Sequence, residues 1–302
     1  MFLINVLPIA VTLWLLTRLT HRDVRRPDAS IDWLGAALCT LGLGGFVFAL
    51  IEQPNLGWGS PIILIPGIAG LAMFVAFLFR QRTATTPILP LGLFRVRNFW
   101  TGNVATAFVY GALSLNGFVV GVYLQQGAGL SATLAGLASL PGTILLILLS
   151  SRVGALSGRL GPRLFMTAGP LVMAVGALLL LSVRDDFSYW TQVLPGILVF
   201  GLGISLTVAP LTSAILGSID TARSGIASAV NNAVSRVAGL IVIALLATIV
   251  GGSLDLDGFH RAAIVTAALM AVGGLVSFAG IRNPSRAATV KAEPHSSSEN
   301  DR

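Results

Sequence analysis

Nine apolar stretches, each about long enough to cross a bilayer, run nearly end to end through this chain. A hydrocarbon core takes roughly 20 apolar residues in a helix. In lipid, only helices and closed barrels satisfy their backbone groups internally. These stretches are too long and too uniformly apolar for barrel strands, so they predict an all-α polytopic membrane protein. Composition agrees: 10% of the residues are charged, against about 25% in a soluble domain.

The expected spans are Phe2–Leu19, Trp33–Ile51, Pro61–Phe79, Phe99–Leu124, Thr133–Ser151, Leu164–Val183, Trp190–Leu216, Ser224–Val250 and Arg261–Ile281. A polar tail, 282–302, follows and is too polar to bury a core. The gaps between spans alternate in charge. Arg18, Arg22, Arg25 and Arg26 fill the first, Arg80, Arg82, Arg95 and Arg97 the third, and Arg152, Arg159 and Arg163 the fifth. Arg223 lies in the seventh, and Arg282, Arg286, Lys291 and Arg302 follow the last span. The other gaps hold only Arg184 and Arg261, beside Glu52, Asp185, Asp186, Asp255 and Asp257. Positive charge marks the cytoplasmic side. The C-terminus is then expected inside and the N-terminus outside, in a multi-pass protein of the cell membrane. The net charge of +7 is dispersed through short loops, so it reads as a topology signal and not as a nucleic-acid surface.

Chemistry-bearing clusters are wanting. The single cysteine, Cys39, excludes a disulfide framework and a cysteine metal site. The sequence carries no phosphate-binding loop, no metal-ligand spacing and no nucleophile elbow. Neither an enzyme nor a cofactor or metal is expected.

The gap between spans five and six reads Gly154-Ala155-Leu156-Ser157-Gly158-Arg159-Leu160-Gly161-Pro162-Arg163. It resembles the G-x-L-x-D-R-x-G-x-R loop of the major facilitator superfamily, with Gly154, Arg159, Gly161 and Arg163 matching and Gly158 in place of the acid. Such a loop is a tight turn between two helices, in which glycine admits positive φ. Its arginines can meet helix C-terminal carbonyls or a neighbouring carboxylate. Further segments resemble the fourteen-span drug:proton antiporters of that superfamily. They are Phe2-Leu3-Ile4-Asn5-Val6 with Pro8, Asp32-Trp33-Leu34-Gly35, Ala49-Leu50-Ile51-Glu52 with Gly57-Trp58, and Pro87–Phe94 with Arg97-Asn98-Phe99. Tyr123-Leu124-Gln125-Gln126 and Ala227–Asn232 complete the series, in the family's order.

The resemblance implies that 99–281 is a C-terminal six-helix transporter bundle built of two inverted three-helix repeats. Residues 20–98 would be two central linker spans with their cytoplasmic loops. Residues 1–19 would be the last span of an N-terminal bundle whose first five spans are absent, and 282–302 a disordered cytoplasmic tail. Its partners would be the lipid bilayer, a small-molecule substrate, protons, and a second chain supplying the missing bundle.

Polar groups inside a membrane are costly, so they are functional candidates by default. Asn103, Thr106, Tyr110, Ser114 and Gly117 share one face of span four. They read either as a cavity wall or as a close helix–helix contact. Span eight carries Ser224, Ser228, Asn231 and Ser235 on one stripe, with Asn232 and Gly239 beside it. Arg236 lies near the middle of that span, where a charge costs about 2.5–3.5 kcal/mol. Pro195, Gly201, Gly203 and Pro210 mark span seven as a kinked helix, either for gating or as tolerated irregularity. No acid lies deep in any span, so the acids of a proton-coupled exporter are expected elsewhere. The expected function is a share in proton-coupled efflux of small molecules; the alternative is a remnant or half that does not transport alone.

The orientation has a direct test. With Cys39 removed, cysteines at Asn55 and Asp255 are expected to react with an impermeant thiol reagent added outside intact cells, and cysteines at Asp28 and Ser285 to stay unlabelled. The reverse pattern refutes it.

Overall fold

The computed structural model describes residues 5–18, 32–252 and 254–283. The residues Phe2–Ile4, the cluster Arg22, Arg25 and Arg26, and the tail from 284 onward lie outside the described residues. Among the described residues, eight helical segments are long and apolar enough to cross a membrane. Ahead of them stands a shorter apolar helix, α1 (Val6–Arg18), with every residue exposed.

The elements that follow are α2 (Trp33–Leu56), α3 (Pro61–Thr83), α4 (Arg97–Gln126), α5 (Ala132–Ala138), α6 (Leu140–Leu160) and α7 (Pro162–Leu179). The last four are α8 (Leu194–Leu216), α9 (Ser224–Ala244), α10 (Leu246–Val250) and α11 (Leu256–Gly280). Their ends carry local signals. Asp32, Ser131 and Asp255 accept the third backbone N–H beyond them, from Gly35, Leu134 and Gly258, the N-cap bond of a helix start. Pro61 and Pro162 sit in first turns, where a missing N–H costs nothing.

Three expectations need correction. Span five is not one helix ending near Ser151: it breaks at Ser139, restarts with Pro141 in its first turn, and runs to Leu160. The motif segment Gly154–Leu160 is therefore helical, and the turn is Gly161 alone, at φ 90°. Span eight does not run unbroken to Val250. Leu245 takes φ −88° and ψ 0°, which turns the ladder aside before α10. Span nine starts at Leu256, capped by Asp255, so His260 and Arg261 are helical.

The six spans from Arg97 onward form one packed body. α4 packs against α9 and α11, α8 against α6 and α7, and α7 against α11. Exchanging the halves α4–α7 and α8–α11 maps α4 onto α8, α6 onto α9 and α7 onto α11. The α4–α9 pairing then maps onto α8–α6, α4–α11 maps onto α8–α7, and α7–α11 maps onto itself, the pattern that two structural repeats give. The core lies in three layers along α4. Phe99 packs with Met166, Leu211, Ile215 and Ile281 at one end. Val109 packs with Met173, Phe200 and Met270 in the middle. Leu115 and Tyr123 pack with Val183 and Phe259 at the other end.

The hairpin α2–α3 is closed by glycines: a Cβ on Gly42, Gly45 or Gly70 would strike backbone of the facing helix. Its open end is held by Asp32, which is buried. Arg80 Nη2 lies 2.7 Å from Asp32 Oδ1, Arg80 Nε donates to the same oxygen at 2.8 Å, and Gln81 Nε2 donates to Oδ2 at 3.3 Å. Gln81 Oε1 in turn accepts the Leu89 N–H at 2.9 Å, so the network grips the linker leading to α4. The Arg80 guanidinium, helped by the Gly35 N–H, holds the Asp32 carboxyl below its ordinary range. A carboxylate with a lowered native pKa stabilises the fold above its unfolded pKa of about 3.9, and that support is lost as pH falls through the lower native value. Wild type is therefore expected to keep slow hydrogen exchange at the Leu89 amide from pH 7 to pH 5 and to lose it only in stronger acid. Asp32→Asn retains a cap but loses the ion pair, and is expected to exchange faster at Leu89 even at pH 7. Equal protection in the two proteins at pH 7 would refute the tether.

Candidate functional site

The polar faces read from spans four and eight meet. Asn231 Nδ2 on α9 donates to Thr106 Oγ1 at 2.8 Å and to Asn103 Oδ1 at 3.3 Å, both on α4. Asn103 and Thr106 are buried, and each also bonds back along its own helix, to the carbonyls of Phe99 and Gly102. About two turns further along, Gly239 of α9 lies against the Ser114 hydroxyl, and Gly111 of α4 faces Val242. A side chain on either glycine would force the helices apart. Asn103, Thr106, Ser114 and Asn231 are thus a seam between two helices. Interhelical hydrogen bonds in membranes contribute about 0.6 kcal/mol each, so the seam fixes register more than it adds stability.

The next stripe around α9 lies beside the seam and outside it. Ser228, Asn232 and Arg236 are exposed, at positions i, i+4 and i+8, so they form one face. Arg236 lies within electrostatic reach of Tyr110, which is half-buried beside the seam. No hydrogen bond or ion pair holds Arg236 among the described residues. A mid-helix guanidinium facing lipid costs about 2.5–3.5 kcal/mol. The face bearing it is therefore suited to water or to another polypeptide surface.

On α8, the kink candidates have distinct neighbours. Gly201 meets the backbone of Gly142 on α6, and Gly203 meets Gly169 and Met173 on α7. The two glycines clamp α8 between its partners from opposite faces. Pro195 stands in the first turn of α8, directly after a π-helical turn, Tyr189–Val193. In that turn the Leu194 N–H donates to the Tyr189 carbonyl, five residues back, and in a first turn the N–H that proline lacks costs nothing. Pro210 is buried inside α8.

A cavity of about 210 Å³ opens between α4, α6 and α8. Its lining is apolar (Leu113, Val120, Leu146, Phe200) apart from Asn116, Ser139 and Thr143. Asn116 is half-buried and makes no hydrogen bond in the described structure. Sequence reasoning missed it because it lies off the Asn103–Ser114 stripe. The available signal was a lone amide in an otherwise apolar turn.

The loop motif acts at the end of α11. Arg163 Nε donates to the Phe278 carbonyl at 3.0 Å and its guanidinium lies 4.8 Å from the Phe278 ring centre. Arg97 donates to the carbonyls of Gly280 and Ala279 at 2.8 and 2.9 Å. Cations at a helix C-terminus complement its dipole. Asn98 and the Arg282 backbone exchange two bonds, and Asn283 bonds both the Arg163 N–H and the Leu160 carbonyl. Arg159 is exposed, and a Cβ on Gly154 would lie 3.6 Å from the Ala209 methyl. Among the described residues, no group of His, Cys, Asp or Glu could hold a metal ion.

A helical membrane body of exchanged halves is what the comparisons with known proteins meet. The family model of the Major Facilitator Superfamily matches residues 28–243, and the chain belongs to that superfamily. The match sets it with membrane transporters and not with enzymes. Among curated proteins, the chain is similar to the uncharacterized MFS-type transporter EfpA of Mycobacterium tuberculosis, at 31% identity over 82% of this chain and 47% of the relative. It is 30% identical to the methylenomycin A resistance protein of Bacillus subtilis, over 82% of this chain and 53% of the relative. It is 31% identical to the lincomycin resistance protein LmrB of Listeria monocytogenes, over 72% of this chain and 46% of the relative. The chain spans about half the length of the curated relatives it matches.

Proposed function

We propose that this chain takes part in proton-coupled efflux of small, amphiphilic or cationic molecules across the cell membrane, as one bundle of a fourteen-span-type exporter. The observation that carries the reading is the Ser228–Asn232–Arg236 face of α9. It is polar, exposed and borders Tyr110, and its side chains make no hydrogen bond or ion pair among the described residues. Alternating access uses two bundles that rock about a site at their interface, and this face is suited to that interface. Tyr110, Asn232 and Arg236 would line the path. Asn103, Thr106, Ser114 and Asn231 would position α9 against α4, and Gly201, Gly203, Pro195 and Pro210 would set the shape of α8. The family match supports transport, and the resistance proteins among the relatives support efflux of small molecules.

In this reading α2 and α3 are the central linker pair, and the Arg-rich ends of the helices face the cytoplasm. Asp32 is tied to Arg80, and Glu52 stands at the far end of α2, so in this reading the travelling-proton site is sought elsewhere. The coupling acid and the second bundle come from another polypeptide segment, in the same or a second chain.

Liposomes with an imposed pH gradient test this. The chain alone is expected to give no gradient-driven dye efflux, and efflux is expected when it is joined to the first five spans of a relative such as EfpA. In the joined protein, Arg236→Leu is expected to abolish efflux with the inserted amount nearly unchanged. Arg236→Lys should restore little where planar hydrogen bonding matters. Normal efflux by Arg236→Leu would overturn the role of this face. Loss of inserted protein would assign Arg236 to folding instead.

A further inference from the structure

At the arginine-rich end of the bundle, a cavity of about 470 Å³ lies between the start of α4 and the end of α11. Arg97, Trp100 and Thr101 line it from α4, and Val276, Ala279 and Gly280 from α11. Arg97, Trp100 and Thr101 stand at i, i+3 and i+4, one above another on a single helix face.

The donor inventory is unbalanced. A guanidinium has five N–H donors. Arg97 is observed to use two of them, on the Gly280 and Ala279 carbonyls. These two bonds orient the guanidinium and leave Nη1 without an acceptor among the described residues. Arg97 forms no ion pair in the described structure, and neither do Arg163 and Arg282 beside it. The Trp100 side chain is 47% exposed, and its indole N–H meets no acceptor among the described residues. Beneath them, the Thr101 hydroxyl is buried and also lacks a partner. The opposite wall is apolar. The site thus offers a fixed cation and an indole donor at its rim, over a greasy slot between two membrane helices. Tryptophan and arginine at this level of a membrane protein sit at lipid headgroups.

We infer that the Arg97–Trp100 groove between α4 and α11 binds an anionic phospholipid. The lipid phosphate takes the free Arg97 N–H groups and the Trp100 indole N–H, and its glycerol and upper acyl carbons lie along Val276 and Ala279. The apolar wall selects a lipid over free phosphate. The absence of an acidic partner on Arg97 selects an anionic headgroup over a zwitterionic one, whose own cation would find no carboxylate there. Basic pockets between membrane helices bind anionic headgroups on this logic. The inference is independent of the transport reading: it concerns a different end of the bundle and is tested without transport.

The test uses the purified full chain in detergent micelles, titrated with a fluorescent phosphatidylglycerol. Saturable binding is expected, displaced by unlabelled phosphatidylglycerol and not by phosphatidylcholine or inorganic phosphate. Arg97→Gln is expected to weaken binding about fivefold, the effect of losing one cation near a membrane surface. Trp100→Leu, which keeps the apolar fill but removes the donor, should weaken it as well. Arg159→Gln removes an exposed cation from the same end of the bundle and should leave binding unchanged. The site is refuted if phosphatidylcholine competes equally or inorganic phosphate displaces the probe. It is equally refuted if Arg159→Gln costs as much as Arg97→Gln, or if Trp100→Leu binds like wild type. Where Arg97→Gln disturbs the α11 end and fails to fold, the Trp100→Leu result and the competition decide.

Discussion

Lipid tails are as apolar as leucine, so burying leucine against leucine gains little inside a bilayer. Helices there associate through close packing of small residues and through polar contacts. That constraint explains the layout of this chain. α8 is held on both sides by glycine, at Gly201 against Gly142 and at Gly203 against Gly169. α2 and α3 close on Gly42, Gly45 and Gly70. α4 and α9 close on Gly239 and Gly111, with the Asn231–Thr106–Asn103 bonds between them. The large exposed residues, such as Trp33, Leu41, Ile65 and Ile147, occupy the outer faces where lipid is the solvent.

Charge follows the same economy. Arg97 and Arg163 satisfy carbonyls that end α11, and Arg80 neutralises the buried cap Asp32. These arginines therefore act as struts as well as topology signals. Arg236 is different: it stands mid-helix, exposed beside the seam, with no hydrogen bond or ion pair among the described residues. A charge kept at such a position needs a reason outside this bundle, which is why the proposed transport path runs past it.

Much of the fold could be read from the chain because hydropathy and helix caps are local. The apolar runs opening at Trp33 and Pro61 marked the starts of α2 and α3, and membership of the major facilitator superfamily could be read from the ordered motifs. The end of α6 could not be read, because Arg152 and Arg159 look like loop residues when charge marks span ends. In the structure they lie on a helix that continues past the apolar stretch to Gly161. The break at Leu245 has no proline or glycine to announce it. For the site, periodicity placed Asn103, Thr106 and Ser114 on one face of α4 but could not say what that face meets; only packing shows α9 there. Asn116 and the Arg97–Trp100 groove stayed hidden because they depend on contacts between distant helices, including α11, which lies some 180 residues from Arg97.

The account rests on two halves of the bundle exchanging neighbours, so that α6 packs on α8 as α9 packs on α4. Disulfide cross-linking measures this directly. Gly154 on α6 would carry a Cβ 3.6 Å from the Ala209 Cβ on α8, within the usual disulfide spacing of about 3.5–4.5 Å. In membranes, with Cys39 replaced, Gly154→Cys paired with Ala209→Cys is predicted to cross-link rapidly under mild oxidation. Gly158→Cys, which faces open space, paired with Ala209→Cys is predicted to remain reduced. Failure of the first pair to cross-link, or equal cross-linking of the second, would contradict the exchanged packing.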